Sequence, residues 1–494
     1  MKYFFITTPI YYVNDKPHIG HAYTTLAADI LARFFRRKTK VFFLTGTDEH
    51  GIKIYKSAKE KNIEPKKFCD EISAIYQKTW KELNINYDFF IRTTDSYHEE
   101  FVKYLLLRLK EKKLIYKGKY KGYYCEDCEE FKNKKDLIKG KCPIHNTKTK
   151  TTEEEVWFFK LSKFRNQILQ KIGESFNIYP NKREKEVKSF LEKYELKDIA
   201  ISRPKERVKW GIELPWDENQ IIYVWIDALF NYLSGPLASI NFNFKYKTWE
   251  EIKEALLDFW PADWQFMAKD ILRFHAIIWP ALLLALELPL PQNLFAHGFF
   301  TIEGQKISKS LGNTINPIAL KEKYGLSSLR YYLFKDFSFG EDSDFSEKNL
   351  VERYNSDLAN NIGNLLNRTI TLIKKYGGIE IKIKRIENKT IEEYISSLKL
   401  KEALEEINKI GQKSNQFIDK KRPWELIKEA NQGKEFSIRN KAQEKLEKIF
   451  NELLKNLYQI NFNLSYFLPE ESLLIEDSLN NFESKIIFPK IETK

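Results

Sequence analysis

The hydrophobic positions of the first fifty residues follow strand-like and helix-like patterns in turn. The apolar run from Lys2 to Thr8 predicts a strand, the helical spacing from Ala22 to Arg37 predicts a helix, and Val41 to Leu44 predict a second strand. This order is a β-α-β unit, typical of parallel sheets that bind ligands beyond the carboxyl ends of their strands. A second set of α/β-like segments runs from Ile221 to Thr314.

The pattern changes at about residue 355, where long amphipathic helices replace the strand signals. Helical spacing connects two apolar series: Leu400, Ala403, Leu404, Ile407, Ile410 and Phe417, then Leu446, Ile449, Phe450, Leu453, Leu457 and Ile460. A helical bundle is the natural prediction for this segment. We therefore predict an α/β chain, with a Rossmann-like, doubly wound domain followed by an α-helical bundle.

Length and charge narrow the class of protein. A chain of 494 residues is too long to fold around one compact core, and a typical domain length of about 150 residues indicates roughly three domains. Lysine and arginine number 82 against 69 acidic residues, which gives a net charge of +13. This excess favours a polyanionic partner such as nucleic acid, but a lysine-rich coding bias would produce the same excess, and both explanations stay open.

No membrane segment is predicted. The longest apolar run, Ala276 to Leu286, is interrupted by Pro280 and has about half the length that a bilayer requires. The amino-terminal residues turn polar at Thr7 and lack the apolar core and cleavage site of a signal peptide. We therefore expect a cytoplasmic protein without a membrane partner.

A histidine-rich peptide, Pro17 to His21, stands between the first predicted strand and helix. Backbone N–H groups at such a turn favour anion binding. We predict that His18 and His21 donate hydrogen bonds to ATP phosphate oxygens, and that Gly20 lets a base stack against bare backbone. The chain contains neither a P-loop nor a dinucleotide-binding glycine motif that could hold the phosphates instead.

A lysine-rich peptide runs from Lys306 to Ser310. Lys306 and Lys309 are predicted to neutralise a leaving pyrophosphate, and Ser308 adds a hydroxyl to the same loop. The two peptides together could grip a triphosphate from two sides. Catalysis would then consist of positioning and electrostatic stabilisation, without a covalent intermediate on the protein.

The cysteines predict a metal site rather than disulfides. The spacing of Cys125, Cys128, Cys142 and His145 is that of a tetrahedral zinc knuckle, while chance clustering of free thiols is the alternative. Four protein ligands close the site, so the predicted zinc is structural. Cys69, beside apolar neighbours, is interpreted as a buried small hydrophobe.

The remaining histidines and aromatic residues allow two interpretations. Six of the seven histidines lie in motif-like positions, and only His98 does not. Aromatic residues at helical spacing are usually core, and they are also the side chains that line ligand pockets. The residues concerned are Tyr12, Trp225, Tyr232, Phe274 and Trp279.

With these residues assembled, the chain resembles the bacterial methionyl-tRNA synthetases, a family of class I aminoacyl-tRNA synthetases, over nearly its whole length. Besides the two ATP peptides, the similar segments are Thr8–Asn14, Gly46–Gly51, Val224–Ala228, Lys269–Ile271 and Arg422–Glu425. The resemblance implies a catalytic domain in two halves (1–115 and 221–315), a connective zinc-knuckle insertion (116–220), a stem-contact linker region (316–354) and an anticodon-binding helical domain (355–494).

The resemblance also assigns site residues. It implies that Asp48 binds the substrate amino group with support from Arg203, that Asp270 contacts the ATP ribose, and that His297 lies near the nucleotide. The implied side-chain pocket consists of Ile10, Tyr12, Trp225, Ala228, Tyr232, Ile271, Phe274, His275 and Trp279. The thioether of methionine suits such a pocket because it packs well against aromatic rings.

The implied reaction has two steps. Methionine and Mg²⁺-ATP give methionyl-adenylate and pyrophosphate, and the methionyl group then passes to the terminal ribose of elongator or initiator tRNA(Met). Asn364, Arg368 and Trp424 match anticodon-reading positions, although Trp424 by itself would be interpreted as a core residue. The implied cofactors are one structural Zn²⁺ and the Mg²⁺ that accompanies ATP. The chain ends without the carboxyl-terminal dimerising domain of some relatives, which favours a monomer.

Four residues depart from the family pattern, and two alternative functions stay open. Ile307 replaces a common Met, Ala268 a Gly, Ser327 an Asp, and His145 a Cys. Ala268 places a methyl group near the nucleotide and could weaken ATP affinity. One alternative function is a class I enzyme for leucine or cysteine, because one methylene changes pocket selectivity by only about 1–3 kcal/mol. The other is a non-catalytic, zinc-containing RNA-binding protein, which would have no need of the histidine and lysine peptides.

Overall fold

The computed structural model describes residues 2–125, 130–132, 137–143, 146–302, 305–306, 314–377, 386–432 and 436–492. The chain divides into two compact units, Met1–His297 and Gly298–Lys494. The boundary between them falls inside the segment 221–315, which was predicted to be the second half of one domain. The bounds of the five segments predicted from the sequence therefore stay predictions.

The first unit combines strands and helices in alternation. Its strands are β1 (Phe4–Tyr12), β2 (Val41–Asp48), β3 (Phe89–Arg92), β4 (Ile115–Cys125), β5 (Glu130–Lys132), β6 (Lys150–Phe159), β7 (Asn177–Tyr179), β8 (Ile199–Ala200), β9 (Ser202–Pro204), β10 (Glu213–Leu214), β11 (Asp217–Ile222), β12 (Trp264–Ala268) and β13 (Asn293–His297). Its α-helices are α1 (Ile19–Arg36), α2 (Ile52–Glu60), α3 (Pro65–Glu82), α4 (Ser96–Glu111), α5 (Arg165–Lys171), α6 (Asn181–Lys193), α7 (Val224–Leu229), α8 (Asn231–Ser239), α9 (Trp249–Leu256) and α10 (Trp279–Ala285).

A six-stranded sheet organises the first unit, with the strand order β3-β2-β1-β12-β13-β7. All five strand pairs are parallel. The sheet extends in one direction from β1 to β3 and in the other from β12 outward. The order therefore reverses between β1 and β12, and the crevice at such a reversal is where open α/β sheets bind ligands.

The predicted β-α-β unit is present, with longer strands than the pattern indicated. β1 continues to Tyr12 because the residues beyond Thr8 still pair with β2, after a local shift of register. All eight residues of β2 are buried, as expected for a strand covered on both faces. The predicted α/β architecture is confirmed.

The predicted insertion, 116–220, contributes strands to three sheets of the first unit, and its bounds stay a prediction. It includes the four-stranded sheet β5-β4-β6-β8 and two strands of the sheet β10-β11-β9. It also supplies β7, which pairs with β13 at the edge of the main sheet. A three-residue strand carries too little periodic signal to be assigned from sequence, and parallel pairing with a distant strand leaves no local trace.

The second unit is largely helical. A small sheet joins β14 (Phe300–Ile302), β15 (Gln305–Lys306) and β16 (Ser343–Asp344). The α-helices are α11 (Pro317–Tyr324), α12 (Leu326–Lys335), α13 (Glu347–Arg353), α14 (Asn364–Tyr376), α15 (Lys389–Ser396), α16 (Leu400–Lys421), α17 (Pro423–Gln432), α18 (Phe436–Leu464) and α19 (Pro469–Asn481). A π-helical segment, Tyr354–Gly363, connects α13 to α14.

The helical prediction for the second unit is confirmed by burial. In α18 all six residues of the predicted apolar series are buried, and in α16 the buried members are Leu400, Ala403, Leu404 and Ile407. Ile410 and Phe417 are only partly buried. Within the described residues, no helix has the length and apolar character needed to cross a membrane.

Candidate active site

Four adjacent strands end at the predicted ligand-binding edge of the sheet. Tyr12 at the end of β1 pairs in register with Asp48 at the end of β2. Ala268 at the end of β12 pairs in register with His297 at the end of β13. Because β1 also pairs with β12, and because all these strands are parallel, their carboxyl ends share one edge of the sheet. Residues from widely separated segments therefore meet there.

The histidine peptide forms the turn between β1 and α1. His18 is the N-cap of α1, and its Nδ1 accepts a hydrogen bond from the Gly20 backbone N–H at 3.0 Å. The Nδ1 of His21 in turn accepts the His18 backbone N–H at 3.3 Å, and the two rings stack with centroids 3.7 Å apart. Since both Nδ1 atoms are acceptors, each neutral ring carries its proton on Nε2. The turn thus holds two imidazole N–H donors in a fixed arrangement.

Gly20 is needed for this arrangement. A Cβ atom at this position would lie 2.9 Å from Cε1 and 3.1 Å from Nδ1 of the His18 ring. A larger residue would therefore push the ring away from the helix terminus that it caps. This role was missed in the sequence, where Gly20 was assigned to base stacking, an assignment that stays a prediction.

His297, which was predicted to lie near the nucleotide, contacts α1. Its Nε2 is 2.6 Å from the Thr24 hydroxyl, and its ring packs edge-on against Tyr23 at a centroid distance of 5.5 Å. His297 is buried. Asp270 is exposed in a 3-10 turn, Lys269–Ile271, directly after β12. Both residues therefore belong to the carboxyl edge of the sheet.

Asp48 and Arg203 are both buried in the first unit. The Asp48 carbonyl accepts the Val13 N–H at 3.1 Å, which joins the chain after β1 to the end of β2. The Arg203 guanidinium lies 4.1 Å from the Tyr223 ring centroid and donates to the Ser202 carbonyl at 2.7 Å. The predicted assistance of Arg203 in amine binding stays a prediction.

The predicted pocket residues separate into a partly exposed lining and a buried base. Trp225 and Phe274 stack with centroids 3.9 Å apart and an interplanar angle of 12°. They are partly exposed, as are three further residues of the predicted pocket, Ile10, Tyr12 and Ile271. The buried members are Ala228, Tyr232, His275 and Trp279. The core interpretation therefore holds for the buried members, and the assignment of the partly exposed members to a substrate pocket stays a prediction.

His275 is a neutral part of the buried base. Its Nδ1 lies 3.0 Å from the Ile271 carbonyl oxygen, to which it must donate, so its Nε2 accepts from the Tyr232 hydroxyl at 2.8 Å. Burial lowers the pKa of His275 to about 4. The residue belongs to a π-helical turn, Phe274–Ile278, a distortion that often accompanies functional sites.

A buried polar network adjoins the pocket and was missed by the sequence analysis. Asp227 lies 2.7 Å from His50 Nδ1 through one carboxylate oxygen and 2.7 Å from His98 Nε2 through the other. The other ring nitrogen of His98, Nδ1, lies 2.7 Å from the Ser234 hydroxyl. His98 was set aside because it stands outside any motif, and its partners are too distant in sequence to be inferred from local patterns.

The network holds a charged pair. Burial alone would lower the pKa of His50, but the Asp227 carboxylate, assisted by Glu99, raises it well above its usual value. Burial opposes ionisation of Asp227 too, yet His50 and His98 keep the pKa of that carboxyl below its usual value. An imidazolium and a carboxylate therefore face each other in the interior.

Two of the predicted zinc ligands are described. The side chains of Cys125 and Cys142 are 0% and 1% exposed, although Ile138 is 63% exposed and Pro143 and Asn146 are exposed as well. Buried thiols in an exposed segment fit a metal site better than an apolar core. Cys128 and His145 lie outside the described residues, and within the described part no group of three metal-ligating side chains occurs.

The remaining predicted residues belong to the second unit. Asn364 and Arg368 on α14 both contact the Asn415 side-chain oxygen of α16, at 3.3 and 3.4 Å. Trp424 on α17 is 38% exposed, so the core interpretation of this residue is wrong. The backbone of Lys306 forms part of β15, whereas Ser308 and Lys309 lie outside the described residues.

Comparisons with known proteins agree on one family. The family described as "tRNA synthetases class I (M)" matches residues 4–152 and 132–370. The methionine–tRNA ligase of Caldanaerobacter subterraneus is 40% identical over 100% of this chain and 80% of that protein. The ligase of Thermotoga maritima is 45% identical over 87% of this chain and 69% of that protein. A structure of Mycobacterium tuberculosis methionyl-tRNA synthetase with methionyl-adenylate has a TM-score of 0.86, at 32% identity over 97% of this chain and 94% of that one.

The charged pair predicts a pH-dependent stability. Because folding raises the pKa of His50, the pair contributes stability that is full below the ordinary histidine pKa of about 6.5 and is lost as the pH rises through the raised value. Thermal unfolding midpoints of the wild type and His50→Gln should therefore differ most at about pH 6.5 and below, and converge in alkaline solution. A difference that stays constant with pH would show that His50 is not charged in the folded protein.

Proposed function

Because the chain belongs to the methionine branch of the class I tRNA synthetases, we propose that it joins L-methionine to tRNA(Met) in two steps. In the first, a methionine carboxylate oxygen attacks the α-phosphorus of ATP, the bond to the bridging oxygen breaks, and pyrophosphate leaves. In the second, a terminal ribose hydroxyl of the tRNA attacks the methionyl carbonyl carbon and AMP leaves. The geometry that chiefly supports this proposal is the shared edge at which the histidine turn, Asp48 and the aromatic lining meet.

The side chain of methionine would bind against the partly exposed aromatic lining. Trp225 and Phe274 offer flat, polarisable surfaces, and a thioether packs favourably against such rings. Beneath them, the hydrogen bonds between His275, Tyr232 and Ile271 satisfy the buried polar atoms without a charge. The pocket base therefore favours a neutral side chain. The Asp48 carboxylate would bind the amino group, with Arg203 assisting.

The triphosphate of ATP would bind at the histidine turn. The Nε2–H donors of His18 and His21 suit phosphate oxygens, whose charge grows as pyrophosphate departs. Asp270 would contact the ribose, and His297, with Thr24 beside it, the nucleotide. From their motif, Lys306 and Lys309 would neutralise the leaving group, and Ser308 would add a hydroxyl that binds ATP. Mg²⁺ would enter with ATP and lower the charge repulsion between its phosphates.

The helical unit would bind the tRNA. Asn364 and Arg368 offer hydrogen-bonding groups toward an anticodon, and the exposed Trp424 offers a ring on which an unpaired base can stack. The net charge of +13 suits a polyanionic partner. We propose elongator and initiator tRNA(Met) as substrates of a monomeric, cytoplasmic enzyme.

The decisive experiment is amino-acid-dependent exchange of labelled pyrophosphate into ATP, in the absence of tRNA. We expect exchange with methionine and none, at equal concentration, with leucine or cysteine. Exchange with leucine or cysteine in place of methionine would support the alternative class I specificity. Absence of exchange with every amino acid, in a protein that still binds tRNA, would support the non-catalytic alternative.

Gly20→Ala should separate catalysis from folding. The new methyl group displaces the His18 ring, and loss of one preorganised donor reduces rates by about 10²–10³-fold. The exchange rate should fall accordingly while the KM for methionine stays near the wild-type value. Stability should hold, because alanine is favoured over glycine in helices by about 1 kcal/mol. Gly363→Ala, a helical glycine of the second unit, is the matched control, and a wild-type rate in Gly20→Ala would contradict this role of the ring.

We also propose that Cys125, Cys128, Cys142 and His145 hold one structural Zn²⁺. The burial of the two described thiols supports this set. Elemental analysis of protein purified without chelators should give one zinc per chain, and Cys142→Ser should lower that value and the thermal stability together. Cys69→Ser, which alters a buried thiol on α3, should leave the zinc content unchanged. A wild-type protein free of zinc would exclude the site.

A further inference from the structure

Asp227 joins three separate segments of the first unit. It lies on α7, the helix that also carries Trp225 and Ala228. Its two carboxylate oxygens contact His50, in the turn after β2, and His98, on α4, each at 2.7 Å. The side chain is 1% exposed, so both contacts are shielded from water.

The contact with His50 connects the two parts of the proposed methionine site. His50 follows Asp48 by two positions in the same turn, whereas Asp227 follows Trp225 by two positions on α7. One ionic hydrogen bond therefore links the turn of the proposed amine ligand to the helix of the aromatic lining. On its other side, His50 Nε2 lies 3.5 Å from the Glu99 carboxylate, and the Trp210 ring packs at a centroid distance of 5.5 Å.

The contact with His98 extends the link to the base of the pocket. His98 Nδ1 lies 2.7 Å from the Ser234 hydroxyl on α8, the helix that also carries Tyr232. In the tautomer that donates from Nε2 to the Asp227 carboxylate, His98 accepts the Ser234 hydroxyl proton at Nδ1. Both ring nitrogens of His98 then have a hydrogen-bond partner. The lining and the base of the pocket thus share one anchoring carboxylate.

The helix α7 depends on such anchors for its orientation. It has only six residues, and no side chain caps its amino terminus. A helix this short is far below the length at which helices are stable by themselves, so side-chain contacts must fix its position. Asp227 supplies the ionic contact on one side, and the stacking of Trp225 on Phe274 supplies the contact at the pocket.

We propose that Asp227 is a positioning residue, which holds the aromatic lining at a fixed distance from the amine-binding turn so that one methionine can contact both. This inference rests on the proposed function, because it assumes that methionine spans Asp48 and Trp225. Asp227 has no contact with the reacting atoms in this account. It acts through the two segments that it joins, and His50 is its charged partner.

The test is Asp227→Asn in methionine-dependent pyrophosphate exchange. The amide preserves the shape of the side chain but lacks the charge, so α7 should lose its fixed position relative to the turn. We expect the KM for methionine to rise about tenfold, a size typical of coupled polar contacts, while the KM for ATP changes less than about twofold. A purely structural role would instead lower the amount of active protein and leave both constants unchanged.

Asp29→Asn is the matched control. Asp29 is a fully buried carboxylate of α1, and it accepts hydrogen bonds from Arg33 at 2.8 Å and from the Asn86 backbone at 2.9 Å. Asp29→Asn should lower the midpoint of thermal unfolding without changing the KM for methionine. An equal rise of that KM in both variants would overturn the proposal, because it would attribute the effect to general destabilisation.

Two further variants keep the proposal testable if Asp227→Asn does not fold. His50→Gln removes the charged partner while the contact between Asp227 and His98 persists, and it should raise the KM for methionine alone. The double variant, Asp227→Asn with His50→Gln, should lose no more than the larger single effect, because two amides can pair. Additive losses, or an unchanged KM in His50→Gln, would overturn the pairing. The proposed function fails if the wild type itself shows no methionine-dependent exchange. If the wild type shows exchange and the variants keep its KM for methionine, only the role of Asp227 is rejected.

Discussion

The active edge of the first unit depends on one constraint, the parallel register of four adjacent strands. Parallel pairing sends every strand of the sheet toward the same edge, so residues placed last in each strand become neighbours however far apart they are in sequence. Tyr12 stands beside Asp48, and Ala268 beside His297, for this reason alone. A slip of one residue would turn each of these side chains to the opposite face of the sheet.

The sequence reveals those features whose cause is local. The histidine peptide, the apolar repeat of α18 and the cysteine spacing each lie within a short stretch of sequence, so they can be recognised from neighbouring residues. Contacts between residues that are far apart in sequence cannot be predicted in this way. Asp227 lies 177 positions from His50 and 129 from His98, and no periodicity connects them. The same reason explains why β7, which pairs with β13 in the main sheet, could not be recognised within the segment 116–220.

The burial of the aromatic residues distinguishes core side chains from those available to a ligand, which the sequence could not do. Core and pocket use the same residue types, because both need large apolar surfaces, so composition cannot distinguish them. The distinction lies in which rings stay partly exposed after packing. Trp225 and Phe274 stack on each other and keep an open face, whereas Trp279 and Tyr232 are enclosed by their neighbours. The buried rings therefore belong to the core, and the partly exposed rings are the ones available for the proposed contact with methionine.

Two buried histidines near this pocket differ in charge because of their partners, since His275 is neutral and His50 is positively charged. His275 meets only a carbonyl and a hydroxyl, so burial is unopposed and the ring stays neutral. His50 meets the carboxylate of Asp227, whose attraction exceeds the cost of burial. A neutral ring suits the base of a pocket for an uncharged thioether, since a charge there would have to be desolvated. A charged ring suits a joint between segments, because an ionic hydrogen bond is stronger and more directional than a neutral one. The environment, rather than the residue type, therefore decides which buried histidine is neutral and which is charged.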